Sequence, residues 1–376
     1  MKRVLVLGAG MVGSAMAMDL AAQGFAVTVA DVRDEALART AARYGVATLR
    51  RDLSDPAAVR DVCAPFDLVC GALSSAMGLQ TLRAVLEAGK DYVDISFMAE
   101  NAWELSDLAH ERGVTAVVDM GVSPGTSNIM AGWAVAHLDS CESIDILVGG
   151  LPEVRRWPFQ YKAPFAASDV IEEYLRPARM VEHGRLIDKP ALSEPELVDF
   201  DGVGTLEAFN TDGLRSLAYT LKVPFMREKT MRWPGHVELM RVFRETGLFS
   251  SEPIDVGGAS VRPVDLVSRL LFPKWQYDEG EVDITVARVT ITGKRHGEPV
   301  RLRWDLLDRH DPATGLRSMS RTTAFPATIV AGLLASGRFR RPGVHPPEVL
   351  GAEPGVLDHV LAELARRGVR YTAHHA

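Results

Sequence analysis

Hydrophobic and polar positions alternate along the first third of the chain in a pattern that predicts short strands separated by amphipathic helices. The strand-like runs are Arg3–Leu7, Ala26–Ala30, Val46–Leu49, Asp67–Gly71, Tyr92–Ile95 and Val114–Val118. Apolar residues recur at helical spacing in Met11–Gln23, Asp34–Tyr44, Pro56–Cys63, Gly78–Ala88 and Ala99–Arg112. Nearly continuous apolar strands between such helices are typical of a parallel sheet covered on both faces. The pattern predicts a doubly wound α/β domain of the Rossmann type.

The pattern changes after Gly121, where longer strand-like runs replace the regular alternation. The runs are Ile144–Gly149, Glu207–Asn210, Ile284–Gly293 and Val300–Leu307, with helical stretches at Ala166–Tyr174 and His236–Thr246. Strands with few interleaved helices favour an α+β domain with a mostly antiparallel sheet. Two later helices, Thr323–Gly337 and Pro354–Gly368, are expected to return to the first domain. The predicted domains are therefore 1–120 with 321–376, and 121–320.

A glycine-rich turn follows the first predicted strand. Gly8-Ala9-Gly10-Met11-Val12-Gly13 matches the GxGxxG spacing between a strand and a helix. In this motif Gly8 permits the tight turn, Gly10 lets the backbone approach a pyrophosphate, and Gly13 allows close helix–strand packing. The helix start at Met11 and Val12 offers free N–H groups and a positive dipole end to phosphates. The alternatives are an FAD site or a turn that binds nothing.

An acidic residue at the end of the second strand favours NAD as the cofactor. Asp31 lies 23 residues after Gly8, close to the ~20-residue offset of a carboxylate that binds the adenosine ribose. Such a carboxylate would repel a 2′-phosphate, although Arg33 weakens the preference for NAD over NADP. Further cofactor contacts are expected after the third and fourth strands, at Asp52, Ala72, Leu73 and Ser74. Asp52 has an equal alternative as a helix cap or turn residue.

The composition bounds the class of partner. Lys and Arg total 42 against 49 Asp and Glu, a net charge of −7, which gives no reason to expect nucleic acid or an anionic membrane. No apolar stretch approaches the ~20 residues of a bilayer span, and no leader pattern precedes the first strand. Three cysteines without CxxC spacing favour a reducing compartment. We expect a cytoplasmic homodimer or homotetramer that acts on a small molecule and holds no metal.

Motifs across the chain resemble the saccharopine dehydrogenase-like family and, within it, the lysine 6-dehydrogenases. The resembling stretches are 92–96, 121–128, 172–179, 207–214, 229–236 and 321–326. The resemblance implies NAD-linked oxidation of the ε-amine of L-lysine to an aldehyde that cyclises to a piperideine carboxylate. One departure is Ser123, which stands where saccharopine reductases carry an acidic residue linked to the substrate. A smaller amino acid than saccharopine is therefore expected.

Amine oxidation requires a group that handles protons. Hydride leaves a carbon only when the attached nitrogen is neutral, and a lysine amine has a pKa of about 10.4. Asp94, at the end of the fifth strand with Ser96 and Phe97 beside the expected nicotinamide position, is the first candidate base. A cap bound to backbone N–H groups is its equal alternative. His236 is the second candidate, and the alternative for it is a surface or capping histidine.

The α-carboxylate of an amino acid needs a cation. Lys229 and Arg232 are favoured because they flank a Pro-Gly loop, where functional groups concentrate. The resemblance places Thr211 and Asp212 at the substrate, although an Asn-Thr-Asp-Gly segment also suits an ordinary turn. Two rival functions stay open. One is a reductive condensation of an amino acid with an oxo compound, and the other is a non-catalytic nucleotide sensor.

Overall fold

The computed structural model describes residues 1–163, 167–278 and 280–375, and its contacts divide the chain into two compact units. Unit 1 comprises Met1–Ala136 and Ser320–Arg370, and unit 2 comprises His137–Met319 and Tyr371–Ala376. The predicted boundaries differ by one residue at Ser320, which belongs to unit 1, and by longer segments at two other places. Residues 121–136 belong to unit 1 and residues 371–376 to unit 2, because each segment packs there as a helix or pairs there as a strand.

The first part of unit 1 alternates strands and helices. Its elements are β1 (Arg3–Leu7), α1 (Met11–Ala22), β2 (Ala26–Asp31), α2 (Asp34–Tyr44), β3 (Ala47–Arg50), α3 (Pro56–Cys63), β4 (Leu68–Gly71), α4 (Gly78–Glu87), β5 (Asp91–Asp94), α5 (Ser106–Arg112), β6 (Thr115–Val117) and α6 (Thr126–His137). The helix predicted from Ala99 begins only at Ser106, after a 3-10 turn at Ala102–Leu105. Helix α6 was not predicted.

Unit 2 contains the longer strands. Its elements are β7 (Ser140–Pro152), α7 (Ala167–Leu175), β8 (Ala178–Glu182), β9 (Arg185–Lys189), β10 (Glu196–Phe200), β11 (Gly204–Asn210), α8 (Leu217–Thr220), β12 (Phe225–Arg232), α9 (His236–Glu245), β13 (Ile254–Val256), β14 (Ala259–Val261), α10 (Pro263–Trp275), β15 (Asp283–Arg295) and β16 (Glu298–Arg309). The predicted helix start at Ala166 lies outside the described residues.

The C-terminal elements complete both units. They are α11 (Ser318–Ser336), β17 (Gly343–His345), α12 (Pro347–Gly351), α13 (Val356–Arg366) and β18 (Tyr371–His375). Strand β17 pairs in parallel with β6, and β18 pairs antiparallel with β16. The two helices expected to return to the first domain are found in unit 1 as α11, from Ser320 onward, and α13.

The sheet of unit 1 has the order β17-β6-β5-β4-β1-β2-β3, and all of its neighbouring strands are parallel. Residues Val4–Leu7 of β1 are fully buried, which explains why that strand is a continuous apolar run. The strand order reverses at β1, between β2 and β4. In such sheets ligands bind beyond the carboxyl ends of the strands at the reversal, which is where the glycine-rich turn stands.

The large sheet of unit 2 has the order β10-β11-β12-β7-β15-β16-β18, with β8 beside β12 and β9 beside β8. Of its recorded pairs, β12 with β7 is parallel and the others are antiparallel. The predicted α/β Rossmann domain and mostly antiparallel second sheet are therefore confirmed. Within the described ranges, none of the helices has the length and hydropathy needed to cross a bilayer.

Candidate functional site

Steric contacts require glycine at two positions of the turn between β1 and α1. Gly8 has a φ of +104°, and a Cβ there would lie 2.6 Å from the carbonyl oxygen of Ala72. A Cβ on Gly13 would lie 2.0 Å from the carbonyl oxygen of Gly8. Both contacts are with backbone, which cannot move aside. The turn is therefore held tightly against the end of β4, as the sequence motif predicts.

The third glycine of the motif faces open space. A Cβ on Gly10 would approach only the guanidinium of Arg33, at 4.0 Å. Helix α1 begins at the next residue, Met11, and no side chain in the described part of the chain caps its first N–H groups. Backbone donors at Met11 and Val12 with an open approach suit an anion at a helix N-terminus. These residues therefore fit the pyrophosphate of a dinucleotide.

The carboxylate of Asp31 is bonded to donors on both oxygens. One oxygen accepts from the N–H of Ala9 at 2.7 Å and from Arg33 Nη2 at 2.9 Å. The other accepts from the Arg33 backbone N–H at 2.9 Å and from its Nε at 3.0 Å. Burial alone would raise the pKa of Asp31, but these hydrogen bonds outweigh it and hold the pKa at about 2. Asp31 is therefore ionised and paired with a side chain of its own unit.

A cleft of about 450 Å³ lies next to this pair, at the ends of β2 and β3. Its lining residues are Val32, Arg50, Arg51, Asp52, Asp55 and Ala58. Asp52 is exposed and accepts from the backbone N–H and the hydroxyl of Ser54. It is a turn residue, whereas Asp55 caps α3 through the N–H of Ala57. Asp52 thus lines a cleft, and its hydrogen bonds to Ser54 are those of the predicted turn alternative, while its contact with a cofactor stays a prediction.

Residues that follow β4 border the glycine-rich turn. The Ala72 N–H donates to the carbonyl of Leu7 at 2.9 Å. The Leu73 side chain would lie 3.3 Å from a Cβ on Gly8, and Ser74 is exposed. These residues therefore border the turn, and their contact with the cofactor stays a prediction.

Asp94 occupies a closed hydrogen-bonded cluster at the end of β5. One carboxylate oxygen accepts from the Tyr92 hydroxyl at 3.1 Å, and the other accepts from the Ser96 hydroxyl. Burial raises the pKa of Asp94 to about 6, and the charge of Asp119 adds to the rise, while the hydrogen bonds from Ser96 and Tyr92 oppose it. A Cβ on Gly71 would collide with the Tyr92 hydroxyl at 1.9 Å. The cluster is therefore sterically fixed.

Two further expected substrate residues lie in unit 1 near strand ends. Phe97 is partly buried and follows Ser96 directly. Ser123 is partly exposed in the loop before α6, and it accepts a hydrogen bond from the Ser127 hydroxyl at 3.0 Å. Gly125 closes that loop, since a Cβ there would lie 2.0 Å from the carbonyl of Gly121.

His236 is the first residue of α9 and has 0% of its surface exposed. Its Nδ1 lies 2.8 Å from the carbonyl oxygen of Phe159, and its Nε2 lies 2.8 Å from the hydroxyl of Tyr174. A carbonyl can only accept, so Nδ1 carries the hydrogen and the neutral ring accepts at Nε2. Burial, reinforced by the charge of Arg232, lowers the pKa of His236 to about 3. The ring is neutral, and the alternative of a surface histidine is wrong.

Arg232 ends β12 in the same buried region and carries an unpartnered donor. Its Nη2 lies 3.4 Å from a carboxylate oxygen of Glu173, and its guanidinium stacks on the ring of Tyr161 at 4.7 Å. Among the described residues, neither the Arg232 Nε nor the Tyr161 hydroxyl has a hydrogen-bond partner. Buried polar groups without partners are rare in proteins. These two donors therefore suit a ligand oxygen.

Lys229 does not lie beside the Pro-Gly loop, and that expectation is wrong. It sits inside β12, and its Nζ donates to the carbonyl of Glu194 at 2.7 Å and pairs with Glu196 at 2.9 Å. The hydrophobic pattern does not predict this strand because charged residues occupy buried positions along it. The ammonium already has protein partners, so Arg232 is the better placed of the two cations.

Thr211 and Asp212 are held from within unit 2. The Thr211 hydroxyl donates to a carboxylate oxygen of Glu228 at 2.8 Å. Asp212 is buried and accepts two hydrogen bonds from the Arg179 guanidinium, at 2.7 and 2.6 Å, and one from the Arg179 backbone N–H at 3.3 Å, with Arg176 at 3.8 Å. The two residues lie in a turn after β11, as an Asn-Thr-Asp-Gly segment predicts. Their side chains form hydrogen bonds with the charged residues Glu228 and Arg179.

Three residues of this region were missed by the sequence analysis. Tyr174 and Glu173 lie in a stretch that the family resemblance marked, but no chemistry pointed to them. Glu228 is buried in β12, and burial raises its pKa to about 8. A lone acidic residue in an unpredicted strand gives no signal in the sequence.

Comparisons with known proteins cover nearly the whole chain. Residues 4–117 match the profile of the saccharopine dehydrogenase NADP binding domain, and residues 121–369 match that of the saccharopine dehydrogenase C-terminal domain. Carboxynorspermidine synthase of Vibrio alginolyticus is 22% identical over 313 residues, which are 77% of this chain and 74% of that protein. Carboxyaminopropylagmatine dehydrogenase of a Synechocystis species is 21% identical over 398 residues, 98% of this chain and 96% of that one.

A solved structure has the same fold. Saccharopine dehydrogenase (L-Glu forming) from Saccharomyces cerevisiae superposes with a TM-score of 0.81 at 18% identity, and the match covers 100% of both chains. At this identity the similarity extends to the fold alone.

Proposed function

The chain belongs to the saccharopine dehydrogenase family, and from that premise we propose that it oxidises the ε-amine of L-lysine with NAD. The observation that carries the proposal is the buried Arg232, whose guanidinium stacks on Tyr161 and whose Nε, like the Tyr161 hydroxyl, has no hydrogen-bond partner among the described residues. A guanidinium of this kind suits the α-carboxylate of an amino acid.

The proposed chemistry needs a hydride acceptor and a route for protons. NAD, when bound, supplies the hydride acceptor. The neutral amine R–CH2–NH2 loses a hydride to the cofactor and a proton to solvent through a base, which leaves an imine. Water then adds to the imine carbon, ammonia leaves, and the aldehyde closes on the α-amine. Gly8, Gly10, Met11 and Val12 would hold the dinucleotide, which would take up the two electrons that leave the substrate carbon.

We propose that Asp94 takes the proton from the amine. With a pKa of about 6, the carboxylate is ionised at neutral pH and still accepts a proton more readily than an exposed aspartate. Ser96, bonded to the same carboxylate, is positioned to pass the proton along a hydrogen bond. Phe97 and Ser123 are proposed as further substrate contacts.

His236 has a positioning role in this proposal. A ring whose pKa is about 3 and whose two nitrogens are already bonded is a poor proton acceptor at neutral pH. It accepts from the Tyr174 hydroxyl and packs against the ring of Tyr161 at 4.8 Å, and the Arg232 guanidinium stacks on that same ring. His236 therefore orients the cation that holds the carboxylate. Thr211, Asp212 and Lys229 support the same region from adjacent strands and turns.

NAD is proposed over NADP because a carboxylate ends β2. Asp31 is ionised and faces the glycine-rich turn through the N–H of Ala9. A carboxylate there accepts from a ribose hydroxyl and repels a 2′-phosphate.

The proposal is tested by formation of reduced dinucleotide, followed by absorbance, with a panel of amino acids. Lysine should be oxidised faster than ornithine or glutamate, and the rate should rise toward alkaline pH because a larger fraction of the amine is neutral. If bound NAD is never reduced by lysine between neutral and strongly alkaline pH, the substrate assignment is wrong.

A second candidate function is reductive condensation of an amine with an oxo compound. The relatives that span most of the chain favour it, because their names describe a synthase of carboxynorspermidine and a dehydrogenase of carboxyaminopropylagmatine. An assay that supplies reduced dinucleotide and an aldehyde, with either ammonia or an amino acid as the amine, would distinguish condensation from lysine oxidation. If the reduced dinucleotide is consumed with the amino acid but not with ammonia, the result supports condensation.

A further inference from the structure

We propose that the side chain of Arg33 competes with the adenosine ribose for Asp31, and thereby sets the choice between NAD and its 2′-phosphorylated form. The proposal rests on dinucleotide binding by unit 1 and requires nothing of the lysine assignment. It concerns one carboxylate, one guanidinium and the cleft beside them.

The first step is that the Asp31 carboxylate has no vacant acceptor position. A carboxylate offers roughly four lone-pair sites. Donors from Ala9 and Arg33 lie at four distances between 2.7 and 3.0 Å. Two of these donors are backbone N–H groups, which hold the carboxylate in place. The other two belong to the Arg33 side chain, so a ribose hydroxyl can bond only after the guanidinium withdraws.

The second step is that the guanidinium is free to withdraw. The Arg33 side chain is 60% exposed, while that of Asp31 is 8% exposed. A Cβ on Gly10 would lie 4.0 Å from Arg33 Nη2, so the guanidinium lies beside the glycine-rich turn without blocking it. Its present position therefore occupies the side of Asp31 that a ribose hydroxyl would need.

The third step is that the charges around the cleft affect the binding of NAD and NADP differently. Arg33, Arg50 and Arg51 bring positive charge, and the acidic residues nearby are Asp31, Asp34, Asp52 and Asp55. Arg50 is paired with Asp34 at 3.5 Å, but both side chains are exposed, so that pair is weak. A 2′-hydroxyl must displace Arg33 without replacing its charge. A 2′-phosphate instead offers the guanidinium a new anionic partner with bidentate geometry.

The consequence is that Arg33 lowers the affinity for NAD and raises the affinity for NADP. A residue that only braces the Asp31 turn would affect both ligands in the same direction. The two roles are therefore distinguishable by binding alone.

The experiment is a calorimetric titration of NAD and NADP, without substrate, into the full chain and its variants at fixed ionic strength. Arg33→Ala should bind NAD about three- to tenfold more tightly and NADP about tenfold more weakly. Arg39→Ala removes the same charge from an exposed position on α2, and it should leave the ratio of the two affinities unchanged. Asp31→Asn should weaken NAD, and the double variant with Arg33→Ala should show no gain for NAD.

Unchanged or weakened NAD binding in a folded Arg33→Ala protein overturns the proposal, as does an equal shift in Arg39→Ala. A thermal melt of each variant establishes that it is folded. Failure of the wild type to bind either dinucleotide would overturn this proposal and the proposed function together. Binding without lysine oxidation would overturn only the proposed function.

Discussion

Replacing Arg232 by glutamine removes the unpartnered donor from the buried region of unit 2 while keeping a polar side chain of similar length. Because a charged hydrogen bond to a carboxylate is worth about 2–3 kcal/mol, kcat/KM for lysine should fall by roughly two orders of magnitude. Arg227→Gln is the matched control, since Arg227 lies in the same strand but pairs with Asp145 and is partly exposed. Equal steady-state kinetics for the two variants would contradict the role of Arg232.

His236→Gln tests positioning against proton transfer. Glutamine can still accept from the Tyr174 hydroxyl, so a positioning role predicts a higher KM for lysine with an unchanged pH profile. Removal of a general base would instead lower kcat and remove a limb of the profile. Rates measured across pH decide between the two, and loss of a limb would contradict the positioning role.

Asp94 links residue chemistry to stability. Its pKa is raised in the folded protein from the ordinary 3.8 to about 6, so its ionisation is penalised. The penalty is absent below about pH 4, grows between pH 4 and 6, and persists above. Asparagine does not ionise, so the Asp94→Asn variant does not carry this penalty. Between pH 4 and 6 its free energy of unfolding relative to the wild type should therefore rise by on the order of 3 kcal/mol.

Urea unfolding at several pH values measures this difference, and the exposed Asp107→Asn serves as control. A difference that does not change with pH would show that the Asp94 carboxyl is not strained by burial. The same asparagine variant should lose lysine oxidation if Asp94 is the base.

At the scale of elements, the turn between β1 and α1 separates fold from binding. Gly13→Ala places a Cβ against the Gly8 carbonyl at 2.0 Å, so it should lower the free energy of unfolding by about 1–3 kcal/mol. Gly10→Ala meets open space and should leave the unfolding free energy nearly unchanged while weakening dinucleotide binding. Chemical unfolding and a binding titration measure the two effects, and a stable Gly13→Ala protein with normal binding would refute the interpretation.

A polar face makes a helix easier to predict from the sequence. Helices α2 and α3 were predicted to the residue because each has a polar side that marks the helical period. Helix α6 was missed because Thr126–Ala131 are all buried, and a helix buried on every side has no such period. Strand β12 was missed because buried charges at Glu228 and Lys229 interrupt its apolar pattern.

For the candidate site the same limit applies. The glycine-rich turn and Asp31 are local in sequence, and the motif locates them. The partners of His236 are not local: Tyr174 is 62 positions away and Phe159 is 77. No spacing rule predicts such contacts, so the neutral state of His236 became apparent only in the folded chain.

At the scale of the whole molecule, unit 1 is assembled from two separated parts of the sequence. Gly343 of β17 pairs with Thr115 of β6, although all of unit 2 except its last strand lies between them in the chain. A chain shortened to end at Met319 would leave β6 as an edge with unpaired backbone groups. We expect such a chain to aggregate, which light scattering would detect; a monodisperse shortened protein would contradict this.

The same discontinuity bears on biosynthesis. Residues 1–136 emerge early from the ribosome. The remaining elements of unit 1, from α11 to α13, emerge only after nearly two hundred further residues have been translated. The nascent nucleotide-binding half must therefore wait, incomplete, while the inserted half is made. Chaperones and the speed of translation should accordingly affect the folding yield more while residues 137–319 are translated than at any earlier point of the message.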